Sequence, residues 1–147
     1  MDVVIEKLIA AVNAHDLDAM VALFDPHYDS RQPAHPGRAF VGRSQVRANW
    51  AAMFAGVPDF RCETGRIVED GDTTWCEWAW LGTHADGRPF EMRGVALFLI
   101  VDRLIAAGTL YVEEVEAEEV GIDEAVESLA GRRPEVRDDV DPRDPLT

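Results

Sequence analysis

The residues best suited to chemistry cluster in the run TTWCEWAWLGTH, residues 73–84. Glu77 lies there among Trp75, Trp78 and Trp80. A carboxyl group in an apolar, aromatic setting resists ionisation, and a raised pKa suits general acid/base work. Turned outward, the same glutamate is an ordinary charge on a solvent or partner face. Trp78 and Trp80 share a face if the run is a strand. There they can stack a flat or aromatic ligand, or fill a sheet core or a partner interface. Arg93 can make a cation–π contact with Trp80 or anchor a carboxylate. Tyr111 offers a phenol able to polarise a ligand carbonyl. Tyr28 and His35 lie on or beside a proline- and glycine-bearing stretch. They can reach a pocket mouth as donors or a proton shuttle, or remain exposed loop side chains. His84 ends its run at a turn. Trp50 is the pocket-lining candidate of a helical stripe that otherwise reads as core. Asp59 reads as a turn or cap residue. The expected catalytic set is thus Glu77, Tyr111 and His35, with Tyr28, Trp50, Trp78, Trp80, His84 and Arg93 as ligand contacts. No Cys/His cluster has zinc spacing, and no metal or cofactor is expected.

Three helices must come first. Residues 3–14 place Ile5, Leu8, Ile9 and Val12 at helical spacing, and Asp16 can cap a second helix over 17–24. Asp25-Pro26 stops it. Residues 26–43, with Pro26, Pro33, Pro36, Gly37 and Gly42, read as a long irregular loop near a functional rim. Ser44 is the expected cap of a third helix carrying Val46, Trp50, Met53 and Phe54, ended by Gly56 and Pro58.

The period then changes to two. Strands are expected at 60–68, 73–84, 89–101 and 104–116, with turns at Glu69–Asp72, Ala85–Arg88 and Asp102-Arg103. A tight turn at Asp86-Gly87 would set Trp80 opposite Arg93, Trp78 opposite Val95 and Glu77 opposite Ala96. Glycines inside the strands suggest bulges or bends. Helices followed by a meander give an α+β class: a cone-shaped barrel, three N-terminal helices packed in a curved antiparallel sheet, with an apolar pocket at its mouth. Residues 1–121 form this domain. Residues 122–147 form a short helix, IDEAVESLA, and an acidic tail.

The 147 residues suit one domain able to bury a core without staples. The formal net charge is −14, which disfavours nucleic acid and anionic membranes as partners. No apolar run suggests a membrane span, and the N-terminus lacks a basic n-region and cleavage site, so a cytoplasmic address is expected. Cys62 and Cys76 sit in neighbouring strands roughly three positions out of register, too far for a disulfide.

In this order AVNAHDLDAMVALF, GRSQVRANWAAMFAGVPDFR, EDGD, GTHADGRPFEMRGVALF and LYVEEV resemble the SnoaL-like domains of the nuclear transport factor 2-like fold. The resemblance spans residues 5–116. It implies a conical pocket, a homodimer formed through the outer sheet face, and a small apolar or aromatic ligand. Polyketide cyclases of this type carry an acid/base carboxylate at the position of Ala96, where this chain has a methyl group. Epoxide hydrolases of the fold use an Arg with two Asp residues, and Leu110 stands where one Asp is expected. Two functions follow from the resemblance. One is a cofactor-free cyclase or isomerase acting on an apolar ketone or polyketide-like substrate. The other is a non-catalytic ligand-binding or accessory dimerisation module.

Overall fold

Asp2 starts the first helix, its carboxylate accepting a hydrogen bond from Val4 N at 2.7 Å. Helix α1 (Val3–Asn13) buries Ile5, Leu8 and Val12. It ends at His15, which turns the chain with φ +53. Asp16 caps the short α2 (Leu17–Val21) through Ala19 N. The computed structural model describes residues 2–136.

The second helix is shorter than its apolar spacing suggests. Phe24 opens a strand, β1 (Phe24–Arg31), in place of the expected loop. Pro26 removes a donor, and the pairing breaks there: Phe24 pairs with Ile105, but the register resumes only at Asp29–Ala107. Beyond Pro26 the strand alternates, with Tyr28 and Ser30 buried and Arg31 exposed. A 3-10 turn (Pro36–Arg38) leads to the two-residue β2 (Phe40–Val41). The third helix, α3 (Arg43–Gly56), starts one residue before the expected cap Ser44. Gly42, at φ +107, occupies the N-cap without a side-chain bond.

Strands β3 (Arg61–Asp70), β4 (Thr73–Thr83), β5 (Pro89–Val101) and β6 (Leu104–Glu114) follow the predicted meander closely. The sheet order is β2-β1-β6-β5-β4-β3. β1 runs parallel to β6, so the sheet is mixed and open rather than an all-antiparallel closed barrel. The class is α+β, and the cone-shaped description remains consistent with it.

The β4–β5 register differs from expectation by one residue. His84 N donates to Arg88 O and Gly87 N to His84 O, making a five-residue loop closed by the pair Thr83–Pro89. Glu77 therefore pairs with Val95, Trp78 with Gly94, Trp80 with Met92 and Cys76 with Ala96. Side chains alternate in a strand, so this single step decides which face Ala96 and Glu77 share with their neighbours.

The core joins the inner sheet face to α1, α2 and α3. Asn13 ties α1 to the sheet edge, its amide bonding both N and O of Cys62 at 2.7 and 3.1 Å. His15 Nε2–H donates to Phe60 O at 2.6 Å, and its ring stacks on Phe54 at 4.3 Å. Cys62 and Cys76 are free thiols, and burial pushes them up to about 12 and about 11.

Asp59 acts as a latch, its carboxylate accepting bonds from Thr83 N at 2.8 Å and Thr83 Oγ1 at 2.9 Å. The Thr83 hydroxyl and backbone N–H lower its pKa from 3.8. A carboxylate whose folded pKa is depressed stabilises the fold above the unfolded value and loses that contribution as pH falls through the folded pKa. The acid side of a Tm-against-pH profile should therefore flatten in Asp59→Asn. An unchanged slope below pH 3.8 would remove the latch from the account.

Chain contacts divide the molecule at Val115, and residues from Glu116 onward make a second unit. It holds α4 (Ile122–Ala130), ended by Gly131 at φ +72. Arg133 pairs with Glu127 at 3.2 Å. The tail expected after this helix lies, from residue 137, outside the described residues.

Candidate functional site

The inner face of the sheet is laid out in rows of directly paired residues. One row is Cys76–Ala96–Leu110. The position where the resemblance implies a carboxylate thus faces inward, fully buried, and is flanked by apolar side chains. The next row runs Thr74–Phe98–Gly108–Ser30–Phe40 across five strands. Over it opens a cavity of about 70 Å³.

Leu8, Val12, Met20 and Val46 of the helices close one side of this cavity, and Tyr28, Ser30, Phe40, Trp78 and Phe98 of the sheet close the other. Asn49 and Trp50 complete the wall. Asn49 is exposed and Phe40 and Trp50 are half-buried, so the mouth lies between α3 and β2. Gln45 Nε2 donates to Asn49 Oδ1 at 2.7 Å, so the amide oxygen of Asn49 is engaged on its own helix. The volume is far below the roughly 300 Å³ at which drug-sized ligand sites begin. As it stands, the cavity fits a small molecule or one end of a larger one.

The polar groups of this wall are donors. Tyr28 is 3% exposed, and its hydroxyl rests on Gly108, where any Cβ would collide with it. Burial pushes the phenol up to about 12, against a hydrogen bond from Ser30 that lowers it and a contribution from Asp29 that raises it. At neutral pH it is a protonated donor and not a base. The indole N–H groups of Trp78 and Trp80 are buried and find no hydrogen-bond partner among the described residues. Trp78 lines the cavity, its ring 5.7 Å from that of Phe98.

The expected site residues divide between two faces. Tyr28, Trp50 and Trp78 meet at the cavity. Trp80 is on the same face but belongs to an aromatic cluster beside it, 5.3 Å from Trp50 and 6.1 Å from Phe60. Glu77 does not face Ala96. It is exposed on the outer face, beside Glu63 and Arg93 in an open concavity of about 380 Å³. The one-residue register step explains this placement. Arg93 pairs with Glu91 at 2.8 Å and is opposite Ala79 rather than Trp80. Tyr111 is 50% exposed on that outer face. His35 donates to Glu113 at 2.7 Å on the surface. His84 sits at the hairpin rim, its ring edge-on to Phe90 at 5.5 Å. The proposed acid/base trio of Glu77, Tyr111 and His35 is therefore not brought together in the cavity.

Ser30 and Asn49 were not anticipated. The period-two pattern Tyr28-Asp29-Ser30-Arg31 was the available signal for Ser30. Asn49, preceding Trp50 on a helix, carried none.

Solved structures of other proteins share this fold. IdmH of Streptomyces antibioticus, a candidate polyketide cyclase, is 25% identical, with TM-score 0.65 over 76% of this chain and 88% of its own. A protein of ketosteroid isomerase-like fold from Catenulispora acidiphila, in complex with trimethylamine, gives 0.66 at 15% identity over 86% and 91%. A candidate SnoaL-like polyketide cyclase from Jannaschia gives 0.65 at 19% identity over 75% and 83%. No curated protein matches in sequence. Among the described residues no helix is long and apolar enough to cross a membrane. The model of the SnoaL-like domain matches residues 5–108, which takes in most of α1, all of α2 and α3, and the sheet from β1 as far as Gly108 in β6. The chain belongs to the SnoaL-like domain family.

Proposed function

We propose that this chain is a ligand-binding member of its family, one that holds a small apolar molecule in the inner cavity without acid/base chemistry of its own. The observation supporting this is the composition of the wall: Tyr28, Ser30, Asn49 and Trp78 supply donors, and the other lining groups are apolar. Such a wall can polarise a ligand oxygen but cannot take a proton from carbon at neutral pH, because its one ionisable group is a phenol at about 12.

The competing reading is a cyclase or isomerase on an apolar ketone, and the likeness to IdmH favours it. The two readings separate in one experiment. In D2O, saturation-transfer NMR should detect cyclopentanone and toluene bound to the protein, while α-proton exchange of the ketone proceeds at the buffer rate. Val46→Phe, which fills the cavity, should abolish the transfer. Faster exchange would restore the acid/base reading. Transfer that is absent, or undiminished in Val46→Phe, overturns the binding reading.

A second copy fits the outer sheet face, where Val68, Trp75, Leu99 and Tyr111 are exposed large hydrophobic groups. Sedimentation velocity at micromolar concentration should show a homodimer that Trp75→Glu dissociates. A wild-type monomer would exclude it.

A further inference from the structure

We infer that the groove between the start of α1 and the β5–β6 hairpin binds a small amphiphilic anion, a carboxylate on an aliphatic chain. Arg103 and Lys7 take the head, and Val3, Val4, Leu23 and Ile100 lie under the chain. The groove shares no lining residue with the inner cavity, so this is a second site and stands apart from the binding reading above.

The floor is apolar and backed by the core. Val4 is buried, Leu23 and Ile100 are half-buried against the core cluster, and Val3 is left 60% exposed. Their backbones are fixed: Ile105 N donates to Leu23 O and Ile100 N to Asp72 O, both at 2.8 Å. The groove measures about 590 Å³, inside the range of about 300–1,000 Å³ that holds small ligands.

Its charges are out of keeping with the rest of the chain. Acidic residues outnumber basic ones by 28 to 14, and six arginines among the described residues each pair with a carboxylate. The Arg103 and Lys7 side chains have neither an ion pair nor a hydrogen bond among the described residues. Asp2, the one acidic residue of the lining, is engaged at the helix start by Val4 N. Two free cations over an apolar floor select an anionic head on an apolar body.

The backbone points the same way. Val101 pairs with Leu104, so Asp102 and Arg103 alone make the turn, at φ +51 and +63. A two-residue hairpin with both central residues left-handed favours Asp-Gly. Aspartate tolerates that conformation. Arginine in the place of glycine carries strain, and no hydrogen bond or ion pair of its side chain offsets it. A residue held in a strained conformation without local compensation is a signature of function.

Lys7 is the only lysine of the chain, so isotope-labelled lysine gives one Cε signal that reports on the groove. Octanoate should move it saturably. Acetate and octanol, each lacking one half of the ligand, should bind at least about tenfold more weakly. Arg103→Gly should weaken octanoate about tenfold and melt no lower than the wild type, because glycine relieves the turn. Val46→Phe, which fills the inner cavity, should leave the Lys7 shift unchanged. Octanol binding as tightly as octanoate overturns the inference, as does unaltered octanoate affinity in Arg103→Gly. A Lys7 signal that does not move overturns it as well. So does a shift lost in Val46→Phe, which assigns the ligand to the inner cavity.

Discussion

Replacing Gly94 by alanine should destabilise the protein by about 3 kcal/mol, the upper end of the cost of overpacking. A Cβ at Gly94 would collide with the Tyr111 carbonyl oxygen and lie 2.7 Å from Val112 Cα. Both are backbone atoms of β6, so no side chain can swing aside. Gly94 pairs with Trp78 on one flank and Val112 on the other, in the middle of the sheet. The added methyl must push β5 from β6 and break the ladder there. Urea unfolding would show a lower midpoint at constant m. Gly56→Ala is the contrast, because nothing lies within 4 Å of its Cβ and the site is helical. It should be neutral or stabilising by up to about 1 kcal/mol. A loss below about 1 kcal/mol in Gly94→Ala would show that the sheet yields more easily than its geometry implies.

Phe60→Ala should cost about 3–5 kcal/mol and lower Tm by about 10–20 °C. Phe60 is among the largest fully buried side chains. Its ring meets those of Trp50, Phe54, Trp80 and Phe90 at centroid distances of 5.3, 5.9, 6.1 and 5.8 Å. Its backbone carbonyl accepts the His15 bond, and its N–H donates to Val57 O at 2.9 Å. Removing the ring leaves a cavity at the junction of α3, β4 and β5, where rigid aromatic neighbours cannot collapse inward. Phe60→Leu keeps much of the volume and should cost about 1.5 kcal/mol or less. Melts followed by circular dichroism check both, and similar losses for the two variants would count against the cavity account.

These two sites differ in how visible they are in the sequence. Phe60 follows Pro58-Asp59 and opens the run expected as the first strand of the meander, so its place in the chain was legible, though its burial was not. Gly94 reads as a possible bend, but its real constraint is the approach of β6, which no local pattern records. The strands and helix faces were legible because each buries a stripe at its own period. β1 was not, because Pro26 and a polar composition hid the alternation of Tyr28 and Ser30. Its partner in the sheet, β6, lies at the far end of the domain's sequence. The site was misread through one residue of hairpin length. A five-residue loop sets Cys76, not Glu77, opposite Ala96. Turn residues announce a hairpin but not whether its loop is even or odd, and parity decides the face.

The parallel pairing of β1 with β6 has a meaning for how the protein is made. Synthesis delivers Tyr28 and Ser30 early, but the strand that holds them comes last of the six. Closing so long a stretch of chain carries an entropy cost that only the finished meander repays. A ribosome-bound chain ending ahead of Leu104 would carry the donors of the cavity wall with only the two-residue β2 beside them. Occupancy of the cavity thus reports that the last strand has been made and docked, and a ligand that binds there stabilises the completed fold alone.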